Sequence, residues 1–264
     1  MISKARIRQI HGLERKKNRL EEELFVAEGP KLVGELLGTE PHTGEASPQH
    51  FSMEARYVAA TEEWMARHKS LLRHAETDTV TPDELHRISL LQHPQDVVAL
   101  FAIPHYEGRM ADIAQRELTL ALDGVQDPGN LGTIVRLADW FGIRHIFCSS
   151  DCADIFNPKA TQATMGAIAR VQLHYVDLIA ELSDLSEVPV YGTFLDGTNI
   201  YEQQLSHNGV IIMGNEGRGI KKETAALVSH RLLIPPYPAD RTTVESLNVA
   251  IATAIICAEF RRTI

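Results

Sequence analysis

Apolar and polar positions alternate along this chain in two blocks of unequal clarity. In the second block, short apolar runs at residues 118–122, 143–147, 188–194, 210–213 and 232–234 are separated by helical stretches near 131–141, 159–167, 177–185 and 223–228. Strands alternating with helices predict a mostly parallel sheet with helices on both faces. Ligands of such sheets bind beyond the carboxyl ends of the strands, so chemistry is expected in the loops that follow them. The first block predicts a smaller α/β unit. Residues 20–24 continue a charged helix, 24–27 read as a short strand, and Pro30 opens a helix over 31–37. Residues 39–52 read as a Pro/Gly/Ser/His-rich loop and 55–59 as a strand. Thr61 caps a helix with Glu62 and Glu63 in its first turn, Thr81-Pro82-Asp83-Glu84 opens another, and 97–103 is a buried apolar strand. The division expected is 1–105, a polar linker at 106–117, and 118–264.

The last helix, over 247–262, has Leu247, Val249, Ile251, Ile255, Ile256, Ala258 and Phe260 spread around its circumference. A helix apolar nearly all round needs cover on two sides. A partner subunit or the chain's own core would supply the second.

Composition narrows the classes. The 264 residues are 44% hydrophobic and 23% charged, an ordinary globular balance, and three cysteines cannot make a disulfide scaffold. The first residues lack the apolar run of a signal peptide, and 249–258 is too short to span a membrane, so a soluble cytoplasmic protein is expected. The net charge of −9 argues against a nucleic-acid partner only on average. Within residues 1–20, Lys4, Arg6, Arg8, Arg15, Lys16, Lys17 and Arg19 face Glu14 alone, a local charge of +6 that leaves −15 on the remainder.

Three loops carry candidate chemistry. The first, Asp123 to Arg136, has Gly124, Pro128 and Gly129 in a tight turn, Asn130 where a helix cap would sit, and Arg136 less than two turns into the helix, placed to grip a phosphate or carboxylate. A capped helix with a solvated Arg is the plain alternative. The second, Met213-Gly214-Asn215-Glu216-Gly217-Arg218-Gly219-Ile220, follows an apolar strand and lets a ligand approach the backbone closely, unless it is only a turn that needs glycine. The third runs from Leu233-Ile234-Pro235-Pro236-Tyr237-Pro238 to Glu245-Ser246-Leu247-Asn248-Val249 at the mouth of the apolar helix. The glycine spacing matches neither a dinucleotide fingerprint nor a phosphate loop, and neither a His-Glu-x-x-His zinc motif nor a Gly-x-Ser-x-Gly elbow occurs. Nicotinamide, ATP, metal and serine-hydrolase chemistry are disfavoured, and no metal is expected.

Taken in order, the three loops resemble the motifs of the SpoU/TrmH family of RNA 2′-O-ribose methyltransferases, of the SPOUT class. The resemblance rests on Asn130, Gly132 and Arg136; on Gly214, Asn215, Glu216, Gly217 and Gly219; and on Ile234-Pro235 with Ser246-Leu247-Asn248-Val249. Asn157-Pro158-Lys159 to Gly166-Ala167 also fits. Leu13 to Arg19, Phe25 to Pro30 and His93 to Val98 are similar to the N-terminal substrate-binding domain of many members, a small ribosomal-protein-like α/β fold.

The resemblance implies a C-terminal α/β trefoil-knot domain with a parallel sheet, a homodimer, and S-adenosylmethionine as methyl donor. Carried over by position, the cofactor would lie against Thr193, Gly197, Gly214, Asn215, Glu216, Gly217, Ile234, Ser246 and Leu247. Catalytic roles would fall to Asn130, Arg136, Glu216, Ser246 and Asn248; the resemblance implies Arg136 as the base, whereas the chemistry of a guanidinium favours it as a clamp on the target phosphate. RNA would be held by Arg15, Lys16, Lys17, Arg19 and Arg136, with rRNA favoured over tRNA. The spacing from Ile234 to Leu247 is four residues longer than in compact members, with Arg241 in the insertion. A catalytically idle RNA-binding or ribosome-assembly factor that keeps the fold is the competing expectation.

Overall fold

The computed structural model describes residues 2–38, 53–238 and 246–262. The chain divides into two compact units, Met1–His105 with Asp154–Arg170, and Tyr106–Ala153 with Val171–Ile264. The loop expected at 39–52 lies outside the described residues.

The first unit is built on a four-stranded sheet in the order β1-β4-β2-β3: β1 (Leu24–Glu28), β2 (Ala55–Ala60), β3 (Glu76–Thr79) and β4 (Val97–Ala102). β4 runs antiparallel to both β1 and β2, and β3 joins β2 in parallel. Alternation along β1 sends Val26 into a core with Ile10, Leu13, Tyr57, Leu85 and Ile88, while Phe25 stacks on Phe101 and meets the tilted ring of Phe156. α1 (Lys4–Gly12), α2 (Lys16–Glu22), α3 (Pro30–Leu36), α4 (Glu62–His68) and α5 (Pro82–Ile88) surround the sheet. Pro30 begins α3 and a full capping box, Thr81 with Glu84, begins α5, both as the sequence predicts. Thr61 precedes α4 without a side-chain cap bond.

The second unit carries six strands in the order β10-β8-β9-β5-β6-β7, every adjacent pair parallel. These are β5 (Leu118–Asp123), β6 (His145–Ser149), β7 (Gln172–Val176), β8 (Val190–Asn199), β9 (Gly209–Gly214) and β10 (His230–Leu233). One face packs Ala121, Phe147, Val210 and Ile212 against Met110, Ile113, Leu178 and Leu182 of α6 (Met110–Ala114) and α9 (Leu178–Ser183). α7 (Pro128–Trp140) and α11 (Val249–Phe260) pack together, and α10 (Lys222–Ala225) precedes β10. The short helix α8 (Pro158–Ala163) falls in the segment grouped with the first unit. Residues 106–117, expected as a linker, contain α6, whose Met110, Ala111, Ile113 and Ala114 are buried. Five residues are too few to register as a helical period.

The winding β5-β6-β7 proceeds one way along the sheet, and β9, β8 and β10 lie on the other side of β5. The loops after β5 and β9 therefore meet at the point where strand order reverses. That crevice is the expected place for a ligand in an open parallel sheet.

Candidate functional site

α7 starts at that crevice because Asp127 accepts the Asn130 N–H at 2.8 Å and Pro128 takes the first helical position. This corrects the sequence reading of Asn130 as the cap. Freed from capping, the Asn130 side chain turns into the crevice. Its Nδ2 donates to Glu216 Oε1 at 2.9 Å, and its Oδ1 accepts from Asn248 Nδ2 at 3.0 Å.

Asn248 is itself the N-cap of α11, its Oδ1 accepting from the N–H groups of Ala250 and Ile251 at 3.0 and 3.3 Å. Capping commits that oxygen and leaves Nδ2 to donate. The polarity then runs in one direction, from Asn248 through Asn130 to the Glu216 carboxylate. Three of the residues carried over from the sequence motifs are thus joined by two hydrogen bonds across three loops.

The loop after β9 is shaped by its glycines. A Cβ on Gly214 would stand 2.3 Å from the Gly219 carbonyl carbon and the Ile220 nitrogen, so only glycine fits there. Asn215 and Gly219 exchange backbone hydrogen bonds of 3.0 and 2.9 Å, closing the loop. Asn215 Nδ2 donates to the Gly124 carbonyl at 2.7 Å and to Glu216 Oε2 at 3.3 Å, while its Oδ1 accepts from the backbone of Gly217 and Arg218.

Beside this loop lies a cavity of about 450 Å³. Its apolar walls include Met213, Leu232, Ile234, Leu247 and Val249, and its polar lining includes Thr193, Ser246, Asn215, Glu216 and the glycine backbone. The volume falls within the ~300–1,000 Å³ usual for small-molecule sites, and a mostly apolar wall with a few convergent polar groups is their usual lining. The donor set fits S-adenosylmethionine: flat apolar surface for a base, hydroxyls and amides for polar substituents, and the Glu216 carboxylate to offset a sulfonium charge.

The predicted residues do not all converge. Thr193, Gly214, Asn215, Glu216, Gly217, Ile234, Ser246 and Leu247 line the cavity. Gly197 does not. A Cβ there would meet the Leu232 backbone at 2.5 Å, so its glycine serves the close approach of β8 to β10. Arg136 is exposed on α7 and stands outside the Asn248–Asn130–Glu216 chain. Among the described residues its guanidinium has no ion pair or hydrogen bond.

In the first unit, Arg15, Lys16 and Lys17 are exposed, with Lys17 paired loosely to Glu21 at 3.6 Å. Arg19 is 1% exposed, and its guanidinium is spent on Asp154 at 2.6 Å and on the Leu13 and Glu14 carbonyls. Its assignment to RNA binding is therefore withdrawn, because a guanidinium buried and held by four hydrogen bonds is not presented to a phosphate outside. Phe194 of the cavity wall was missed, being indistinguishable in sequence from an ordinary strand residue.

The SpoU rRNA Methylase family matches residues 117–258, and the MRM3-like substrate binding domain matches residues 4–99. A solved structure from Porphyromonas gingivalis, of a protein assigned to the TrmH family of RNA methyltransferases, is 41% identical with a TM-score of 0.84, covering 99% of this chain and 98% of that one. An AdoMet-bound rRNA methyltransferase from Sinorhizobium meliloti is 29% identical with a TM-score of 0.81, covering 99% and 95%. The 23S rRNA (guanosine(2553)-2′-O)-methyltransferase RlmP of Bacillus subtilis is 31% identical over 185 residues, 69% of this chain and 71% of its own length.

Proposed function

The chain belongs to the SpoU rRNA methylase family, and we propose that its second unit transfers a methyl group from S-adenosylmethionine to a ribose 2′-OH of ribosomal RNA. The observation that carries this reading is the Asn248–Asn130–Glu216 chain at the lip of a glycine-lined cavity, with the exposed Arg136 on the same helix as Asn130.

When bound, S-adenosylmethionine supplies an electrophilic methyl group on a sulfonium. The protein's task is alignment and proton management, since in-line displacement draws much of its acceleration from fixed geometry. The apolar walls and glycine loop hold the donor, and Asn130, locked between Asn248 and Glu216, presents a fixed amide to the ribose. Arg136 clamps the target phosphate. A guanidinium with pKa above about 12 is a poor base, so Arg136 lowers the cost of ionising the 2′-OH by its charge rather than by taking the proton. Glu216 keeps lone pairs beyond its bonds to Asn130 and Asn215 and serves as the proton's destination through water. Ser246 at the cavity wall completes the catalytic set.

In this reading residues 1–105 hold RNA through Arg15, Lys16 and Lys17, and 118–264 form the methyltransferase domain. Family membership assigns a trefoil knot to the chain between β9 and α11, whose residues 239–245 lie outside the described ones. We assign a homodimer as well. Trp140 of α7 and Leu247 and Ile251 beside and on α11 are exposed at 84%, 47% and 54%, an apolar set that a second copy would cover. Among the described residues no helix is long and apolar enough to cross a membrane. The cytoplasm, where rRNA is modified, is the proposed location.

Mapping 2′-O-methyl riboses by primer-extension stops at low nucleotide concentration, in cells with and without the protein, tests the reading. One rRNA stop should appear only when the protein is present. Identical stop patterns would refute it.

A further inference from the structure

We propose that Lys221 is a positioning residue, which clips the glycine loop after β9 to the ends of β5 and β6 and so sets the shape in which that loop receives S-adenosylmethionine. The inference rests on the cofactor reading above.

Asp123, the last residue of β5, is 1% exposed. A carboxylate so buried requires a counter-charge and hydrogen bonds to both oxygens. Lys221 supplies both by itself: its backbone N–H donates to Asp123 Oδ2 at 2.8 Å, and its Nζ approaches Oδ1 at 3.1 Å. The same ammonium reaches Asp151, in the loop after β6, at 2.9 Å. Asp151 in turn accepts from Ser149 Oγ at 2.7 Å, and Ser149 Oγ accepts from the Gly124 N–H at 2.9 Å.

Gly124 closes the circuit, because its carbonyl is the acceptor for Asn215 Nδ2. Starting from Asn215, the path runs through Gly124, Ser149, Asp151, Lys221 and back along the loop to Asn215. Gly124 has φ +74°, and a Cβ there would sit 3.2 Å from Asp151 Oδ2, so the approach of these loops is itself built on glycine. Burial disfavours the charged Lys221, but its hydrogen bonds to Asp151 and Asp123 outweigh that and hold its pKa above the ordinary value. Asp151 is held below its ordinary value, first by Ser149 and then by Lys221.

The segment between the two anchors, Glu216 to Gly219, lines the cavity. Gly217 and Gly219 give it little conformational preference of its own, so the anchors at Asn215 and Lys221 determine its shape. Releasing one anchor leaves the loop to be ordered by the cofactor, which weakens binding without removing any contact to it.

Calorimetric titration of the full-length protein with S-adenosylmethionine, alongside thermal melts and steady-state kinetics, tests this. Lys221→Met should weaken cofactor binding at least tenfold and raise KM for S-adenosylmethionine more than it lowers kcat, and Lys221→Arg should recover most of the loss. Asp151→Asn, at a half-exposed position, should weaken binding at least threefold with its melting temperature near that of the wild type, and it decides the matter if Lys221→Met does not fold. Wild-type protein that binds while Asp151→Asn binds within twofold of it would overturn the positioning role alone. Wild-type protein that fails to bind would overturn the cofactor reading and this inference together.

Discussion

Asn248 shows how one amide settles the geometry of a site. Its oxygen is claimed by the first turn of α11, so its nitrogen must donate to Asn130, whose nitrogen must then donate to Glu216. The motif residues were legible in the sequence, but this order was not, because it depends on Asp127 displacing Asn130 from the cap. An Asp directly before Pro carried that signal, since proline favours the first helical position. The exposed Arg136 gives the sharpest test at this scale. Arg136→Ala should lower kcat/KM for RNA by at least about 100-fold, the size of a lost transition-state electrostatic contact, while calorimetry shows unchanged cofactor affinity. Full biological effect with Arg136→Ala would favour an idle RNA-binding factor instead.

A second residue-scale prediction concerns His174, whose ring stacks on Phe147 and shares a hydrogen bond with His145 at 3.1 Å. Burial, helped by the neighbouring His145, depresses its pKa to about 4. A histidine kept neutral by the fold gives its full stabilisation above its unfolded value of about 6.5, and this is lost as pH falls from there towards 4, an effect on the order of 3 kcal/mol. Melting temperature should drop across that interval, and His174→Gln should flatten the drop. An unchanged slope would remove His174 as its cause.

At the scale of elements, the apolar runs located most strands within two or three residues, because buried parallel strands are continuous in hydrophobicity. β3, Glu76–Thr79, was not foreseen, since an edge strand of Glu, Thr, Asp and Thr has no apolar signal. β7, at the opposite edge of the larger sheet, was missed where His174 and Tyr175 interrupt the pattern. β8 runs further than expected, to Asn199, and residues 193–197 bulge between two segments paired with β10 across a register shift, with Thr193 lining the cavity. The glycine loop was legible as a ligand loop, yet only the fold separates its glycines by task. Gly214→Ala should therefore abolish cofactor binding in calorimetry, because its Cβ would collide with backbone rather than with a movable side chain. Gly217→Ala, whose nearest neighbour would be 3.8 Å away, should retain a folded loop.

For the whole molecule, net charge was the least informative quantity. The +6 segment at the amino end survives as a candidate RNA surface only after Arg19 is removed from it. A run of like charges cannot reveal that one member turns inward, and here its partner, Asp154, lies 135 positions away. Replacing Arg15, Lys16 and Lys17 together by Ala should weaken RNA binding and flatten its dependence on salt by up to about three phosphate contacts. Filter binding across a salt series checks this, and an unaltered slope would reduce the cluster to a solvated helix face. The exposed Trp140, Leu247 and Ile251 set makes a similar demand on assembly. Sedimentation should give a dimer, and Ile251→Glu should shift it towards monomer.

The central claim is methyl transfer to ribose, and the most direct measurement is incubation of the purified protein with methyl-labelled S-adenosylmethionine and unmethylated ribosomal RNA, followed by digestion to nucleosides. The account predicts label in a single 2′-O-methylnucleoside, whose phosphodiester in the undigested RNA resists alkaline cleavage, and labelling at least about 100-fold slower with Arg136→Ala. Label in a methylated base, or none in any RNA, would contradict it.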